Sequence, residues 1–206
     1  MNYETQKRIL DIVVAMALLI AFLPFWIIVP LLILIDSGWP IFFTHTRVGQ
    51  GGKPIKLYKF RSMVKDADEI LHKKNHQLLK EFKKGDWKLE NDPRITRLGK
   101  VLRALTIDEF PQLLNVLEGD MSMIGPRAYV ERELKEQSLR YPETKAYIRD
   151  ILTVKPGITG PWQVSGRNDI PFVKRAQMDA QYARQRNILS DLSILVKTPK
   201  AMISRW

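Results

Sequence analysis

Hydrophobic positions fall into blocks of different period along the chain, and the longest block has no polar interruption. From Ile12 to Ile35 no residue is charged. As one helix this run reaches about 36 Å at roughly 1.5 Å per residue, enough for a bilayer core of about 30 Å. A domain of this size seldom hides a helix that is apolar on every face, so the run predicts a membrane segment. It is too long for the core of a signal peptide and ends Leu34-Ile35-Asp36-Ser37-Gly38-Trp39-Pro40, without a small-residue cleavage site. Pro24 lies in mid-run, where a proline removes one helical hydrogen bond and clashes with the carbonyl four residues back. Lys7 and Arg8 precede the run; Arg47, Lys53, Lys56, Lys59, Arg61 and Lys65 follow it with no acid among them. Cations on both flanks favour the cytoplasmic side for both ends. The expectation is therefore a re-entrant helix broken at Pro24 over residues 1–38, with residues 39–206 forming the domain outside the bilayer.

After Trp39-Pro40 the period changes to two. Ile41 to Thr44, a glycine-rich turn over Gly49 to Gly52, and Ile55 to Arg61 predict a hairpin with Lys56, Tyr58 and Phe60 on one face and Leu57, Lys59 and Arg61 on the other. Two readings of that second face are open: an edge with solvated lysines, or one in which Lys59 or Arg61 reaches an anionic substrate. Asp66 to Lys83 carries Ile70, Leu71, Leu78, Leu79 and Phe82 at helical spacing with lysines opposite, predicting one amphipathic helix. Arg94, Arg97, Lys100 and Arg103 recur every third position, a basic stripe on a helix. Tyr129 to Ile151 reads as helical with a break at Pro142, residues 154–169 are rich in turn formers, and the tail from Ile188 suits an interfacial or a core helix. The predicted fold is mixed α/β and helix-rich: a re-entrant N-terminal helix, a small hairpin or sheet over residues 41–61, and amphipathic helices at the membrane interface.

Charge narrows the partner. The 206 residues carry 33 Lys+Arg against 22 Asp+Glu, a net charge of +11, which points to nucleic acid, an acidic membrane face or a phosphorylated substrate. The absence of cysteine excludes disulfides, thiolate metal sites and a cysteine nucleophile. His72 and His76 have zinc-compatible helical spacing, but no third ligand is near in a lysine-rich segment, and a solvated face explains them.

The stretch from Arg103 to Arg127 holds the candidate chemistry. Asp108 and Glu109 are adjacent acids with Arg103 on one side and Arg127 on the other. Thr106 and Glu109 have capping-box spacing, and Leu113 to Leu117 before Gly119 reads as a short helix with a glycine stop. Capping leaves Asp108 unexplained, and Pro111 would remove an amide from a helix begun at Ile107. A helix starting near Pro111 instead leaves both carboxylates at its mouth, where phosphate is also favoured. Capping and chemistry are both open on spacing alone. The loop Val154 to Asp169 has free amides suited to an anion nest, and Trp162 within it has a ring that can stack on a base.

Five segments in order resemble one family: the apolar run with Pro24; Tyr58-Lys59-Phe60-Arg61-Ser62-Met63; Leu105-Thr106-Ile107-Asp108-Glu109-Phe110-Pro111-Gln112-Leu113; Gly119-Asp120-Met121-Ser122-Met123-Ile124-Gly125-Pro126-Arg127; and Pro156-Gly157-Ile158-Thr159-Gly160 through Gly166-Arg167-Asn168. Together they resemble the bacterial sugar transferases, monotopic phosphoglycosyl transferases in their minimal catalytic form. The resemblance implies transfer of a sugar-1-phosphate from a UDP-sugar to undecaprenyl phosphate with Mg²⁺, releasing UMP. It implies Asp108 as the nucleophile that carries a phosphosugar, with Asp108 and Glu109 holding the metal. Lys59, Arg61, Arg103 and Arg127 would meet phosphate, and Gln163 and Arg167 the nucleotide. It also implies a re-entrant helix in the bacterial inner membrane, with the catalytic domain on the cytoplasmic face.

Three positions depart from the familiar pattern. Leu23 stands where a serine often precedes the helix-breaking proline, Ala128 follows Gly-Pro-Arg, and Lys155 precedes Pro-Gly. Lysine cannot make arginine's bidentate phosphate contact. A membrane-tethered nucleic-acid binder would account for the charge but leaves the Asp–Glu pair without work, so no nucleic-acid partner is expected. A non-catalytic scaffold explains the membrane run alone. An exposed helix at either end offers a surface for a homodimer.

Overall fold

The computed structural model describes residues 1–85, 89, 91–166 and 169–202. The apolar run is divided between two helices, α1 (Tyr3–Ala21) and α2 (Phe25–Ser37), whose axes bend by 63° at the break. Pro24 is the N-cap of α2, a place where its missing amide is not needed. The amides around it are satisfied by short bonds: Phe25 N to Phe22 O at 2.9 Å and Trp26 N to Leu23 O at 3.1 Å. The turn therefore closes without the hydroxyl that Leu23 replaces. No single helix among the described residues is long and apolar enough to cross a membrane, whereas the bent pair together has the length and composition.

One face of α1 belongs to the protein interior. Lys7, Asp11 and Ala15 recur every four residues and are buried, and the helix packs on α6, β3 and α10, introduced below. Lys7 Nζ lies 3.2 Å from Asp11 Oδ1 and 3.5 Å from Asp191 Oδ2. Asp11 also accepts from the Met123 amide and the Ser122 hydroxyl at 2.9 Å each, so both buried acids are compensated. Arg8 donates to the Val116 and Leu117 carbonyls at 2.6 and 2.8 Å. The upstream cations thus serve contacts within the protein. The opposite face of α1 leaves Ile9, Val13, Met16 and Ile20 exposed, and α2 exposes Ile27, Ile28, Leu31, Leu32 and Ile35. Only Val29 and Ile33 of α2 are buried, against Phe60, Leu102 and Ile107.

The hairpin forms as its alternation predicts. Strands β1 (Phe42–Val48) and β2 (Pro54–Phe60) pair antiparallel from Phe42↔Phe60 to Val48↔Pro54. The turn places Gly51 and Gly52 at φ of 69° and 77°, where a side chain is strained. Arg61, just beyond β2, is buried and turned away from the acids: its Nη2 donates to the Gly38 carbonyl at 2.5 Å and to the Ser37 carbonyl and hydroxyl at 2.8 Å each. It closes the C-terminal end of α2, where orphan carbonyls and the negative dipole end favour a cation. Arg61→Met is expected to lower stability by about 1–3 kcal/mol, read by thermal unfolding in detergent, because it leaves those half-buried carbonyls without their donor.

The helix expected over Asp66 to Lys83 is broken into α3 (Ala67–Glu69), a π-helical turn (Ile70–Lys74) and α4 (His76–Lys84). Asn75 causes the break by accepting the Leu78 amide at 2.9 Å as the N-cap of α4. His72 and His76 therefore lie on different turns rather than on one helical face. The basic stripe is also divided. Helix α5 (Arg97–Ala104) starts at the Thr96 cap, while Arg94 lies before it, paired with Asp92 through Nε–Oδ1 at 2.8 Å and Nη2–Oδ2 at 2.6 Å.

Helix α6 (Gln112–Glu118) stops at Gly119, which adopts φ 91° as the glycine stop requires. Strand β3 (Ser122–Ile124) follows, then α7 (Glu131–Arg140) and α8 (Thr144–Ile151), separated at Pro142 as expected. Strand β4 (Gly157–Thr159) runs parallel to β3, with Ser122 opposite Gly157 and Ile124 opposite Thr159. Helices α9 (Phe172–Gln185) and α10 (Ile188–Met202) complete the chain, and α10 continues through Pro199. Ala15, Leu57, Leu113, Val116, Met121, Met123 and Ile194 form the main core between these elements. Gly157 packs its Cα against the Gly125 amide, and a Cβ there would overlap that backbone. Gly157→Ala is expected to separate β3 from β4 and to cost several kcal/mol, on the order of 3, seen as loss of soluble folded protein in detergent extracts.

Candidate active site

Thr106 starts the site in an unusual conformation. Its φ of 58° is left-handed, it makes no side-chain cap bond, and its hydroxyl is buried without a partner. The capping box that its spacing suggests is not formed, because an N-cap needs extended backbone there. Ile107–Glu109 instead make a single 3-10 turn, and α6 begins only after Pro111. A non-glycine residue held left-handed stores strain of about 1 kcal/mol or more, a device that clusters at functional sites. Its effect here is to turn Asp108 inward and Glu109 toward β2.

Asp108 is 3% exposed, and its Oδ1 is buried with no hydrogen-bond partner. Burial pushes its carboxyl up to about 6; Glu109 pushes the same way, while Lys59 and Arg103 oppose. Glu109 is partly exposed and pairs with Lys59, Nζ to Oε1 at 2.5 Å. Burial raises the Glu109 carboxyl, but Lys59, Arg127 and Arg103 outweigh it and hold the group below the usual carboxylate range. The structure thus joins Lys59, Arg103, Asp108, Glu109 and Arg127 in one electrostatic cluster. The two adjacent acids are shifted in opposite directions: burial pushes Asp108 up, and the cations hold Glu109 down.

Arg127 is fixed from several sides. Its guanidinium lies 6.0 Å from the Tyr129 ring centre and 5.9 Å from that of Trp162. Its amide donates to Asp179 Oδ2 at 3.2 Å, the oxygen that also accepts the Tyr129 hydroxyl at 3.2 Å. Full burial pushes the Asp179 carboxyl up to about 7 despite these bonds. Trp162 is buried beneath Arg127 and Arg175, which lies 5.4 Å from its ring centre, so the indole packs under arginines and is not presented for base stacking.

The remaining expected residues are Arg61, Gln163 and Arg167. Arg61 serves the end of α2, as described. Gln163 sits in the turn after β4 with its Oε1 buried and unpartnered, close to Gly160. Arg167 lies outside the described residues. Two further groups near the acids carry no sequence motif of their own. His45 and Arg47 occupy the β1 positions paired with Leu57 and Ile55, on the hairpin face that carries Lys59. Burial, then Arg47, pushes His45 down to about 4, and burial, then Arg127, pushes Arg47 down to about 10. The period-two alternation of β1 was the signal that could have found them.

Among the described residues no group of three or more His, Asp or Glu side chains is placed to hold a metal. Two adjacent carboxylates, one with an unpartnered oxygen, suit instead a hard cation that takes one or two carboxylates and leaves its other positions to water and phosphate.

A buried carboxylate among cations, beside a bent apolar helix pair, is an arrangement suited to anionic groups at an apolar surface. The family model of bacterial sugar transferases matches residues 2–205. The chain is 40% identical over 202 residues to the exopolysaccharide production protein ExoY of Sinorhizobium fredii, covering 97% of this chain and 86% of that one. It is 42% identical over 201 residues to the undecaprenyl-phosphate galactose phosphotransferase of Salmonella typhimurium, covering 97% of this chain and 40% of that longer protein. It is 39% identical over 201 residues to the UDP-galactose-lipid carrier transferase of Erwinia amylovora, again 97% of this chain and 40% of the relative. The chain belongs to the bacterial sugar transferase family and is a sugar-phosphate transferase.

Proposed function

We propose that this protein transfers a sugar-1-phosphate from a UDP-sugar to undecaprenyl phosphate, releasing UMP, at the cytoplasmic face of the bacterial inner membrane. The observation that carries this reading is the buried Asp108 carboxylate, with one oxygen free of hydrogen bonds, set among Lys59, Arg103 and Arg127. A carboxylate is repelled by a diphosphate, so attack requires cations placed in advance, and these side chains supply them. An Asp108 oxygen attacks the phosphorus that bears the sugar, and the bond from that phosphorus to the bridging oxygen breaks, so that UMP leaves. A phosphate oxygen of undecaprenyl phosphate then attacks the same phosphorus. The aspartyl bond breaks, and the carboxylate returns with undecaprenyl diphosphate sugar as product.

Asp108 and Glu109 would hold Mg²⁺ with phosphate oxygens. The bound ion would supply further charge neutralisation on the transferring phosphoryl group. Lys59, tied to Glu109, holds that carboxylate in place and ionised. Helices α1 and α2 form the re-entrant segment in this reading, supported by their bend at Pro24 and their exposed apolar faces. Non-helical backbone at such a bend is tolerated in a membrane only where its amides are paired, as they are around Pro24.

Two relatives are named for galactose, which makes UDP-galactose the first donor to try. The test is UMP release by detergent-purified protein given undecaprenyl phosphate, Mg²⁺ and a panel of UDP-sugars. Release with one sugar and dependence on the lipid are expected. Folded protein that releases no UMP with any sugar overturns the reading.

A further inference from the structure

The hairpin and the segment after Pro126 lie side by side. The Val48 amide donates to the Tyr129 carbonyl at 2.9 Å, and Arg47 Nη1 donates to the Ala128 carbonyl at 3.3 Å. These two bonds bring Arg47 into electrostatic reach of Arg127, on the same hairpin face as Lys59. Each of the two arginines has a buried Nε without a hydrogen-bond partner. Neither forms an ion pair among the described residues. The acids within reach of Arg47 are Glu133 and Glu109, and Glu109 is already closed on Lys59.

Two neighbouring guanidinium groups repel each other, and a buried donor left unfilled costs stability. Folding has nevertheless built both conditions into one place and fixed both side chains there. Arg47 is held through the hairpin register, and Arg127 through Asp179 and the rings of Tyr129 and Trp162. An anion with several acceptor oxygens between the two guanidinium groups offsets their repulsion. Planar guanidinium donors match phosphoryl oxygens in pairs, as a lysine's point charge does not.

We propose that Arg47 and Arg127 form a fork that binds a phosphoryl group beside the Asp108–Glu109 pair, making Arg47 a substrate-binding residue. Where the phosphoryl group comes from rests on the function proposed above. The diphosphate of a nucleotide sugar and the phosphate of the lipid acceptor present the same chemistry to the fork. His45, pressed toward its neutral form in the same cation cluster, adds no competing charge.

The test reads binding rather than turnover, by calorimetry on the full chain in detergent with Mg²⁺. UDP is the probe in one arm and a short-chain polyprenyl phosphate in mixed micelles in the other. Arg47→Gln is expected to weaken at least one probe by about tenfold or more, and the affected arm names the source. Arg47→Lys, which keeps the charge without the fork, should recover only part of that loss. Arg47→Gln removes a like charge but also the bond to the Ala128 carbonyl, so its melting temperature is recorded beside affinity and does not decide alone. A merely structural Arg47 would leave both affinities unchanged, which overturns the fork. Should Arg47→Gln fail to fold, unchanged affinity of Arg47→Lys for both probes overturns it equally. UMP release by the wild type is measured in parallel. Turnover together with unchanged binding by Arg47→Gln rejects the fork and keeps the proposed function; no turnover together with lost UDP binding does the reverse.

Discussion

Asp108→Asn is expected to reduce sugar-phosphate transfer by at least about 10³-fold while the protein remains folded, because the amide cannot form the phosphoryl bond and no other carboxylate shares its position. UMP release measures the loss, and retained turnover in folded Asp108→Asn would falsify the nucleophile assignment. The same substitution has a second, independent signature in stability. The folded-state carboxyl is pushed up to about 6 from an ordinary 3.8, so its contribution to stability is fully present below about 3.8 and is lost as pH rises through about 6. That loss is on the order of a few kcal/mol in metal-free protein. Asparagine carries no charge at any pH. Asp108→Asn should therefore unfold at a higher temperature than wild type at pH 8, with the gap closing on acidification to about pH 4. The wild-type kcat/KM should rise with pH as Asp108 ionises, since the attacking form is the carboxylate, and bound Mg²⁺ should draw that rise to lower pH than in metal-free protein. A stabilised, inactive variant is the pattern expected of a group kept for chemistry at the expense of the fold.

Glu109→Gln is expected to lower transfer by about 10²-fold and to raise the Mg²⁺ concentration needed for half-maximal rate by about tenfold or more. Glutamine keeps an acceptor for Lys59 but loses the charge that Lys59, Arg127 and Arg103 hold ionised. Chelation of divalent cations should abolish wild-type turnover reversibly. A Mg²⁺ titration of Glu109→Gln that overlays the wild type would remove Glu109 from the metal while leaving its ion pair with Lys59 intact. The two acids thus separate by experiment: one variant loses the covalent step, the other the metal dependence.

Much of the fold was legible because period and backbone chemistry act locally. Pro24 ends one helix and starts the next, Gly119 takes the left-handed stop, Pro142 separates α7 from α8, and alternation over residues 41–61 gives the hairpin. The expectation failed at two places, for different reasons. Asn75 capped α4 and broke a helix that apolar spacing alone would continue. Thr106, with capping-box spacing, went left-handed, because the turn into Pro111 and the burial of Asp108 decide its backbone rather than its hydroxyl.

The sequence by itself determined that an apolar segment bends at Pro24, that a basic hairpin follows, and that one adjacent acid pair stands between Arg103 and Arg127, since each depends on residues close together in the chain. Tertiary structure alone decided which cations serve that pair. Lysines and arginines look alike in a sequence this basic, and their roles follow from the backbone each one meets: Arg61 meets the end of α2, Arg8 the end of α6 and Lys7 the buried acids of α1 and α10, leaving Lys59, Arg103, Arg127 and Arg47 around Asp108 and Glu109. Charge is assigned by packing over distances that local spacing does not encode.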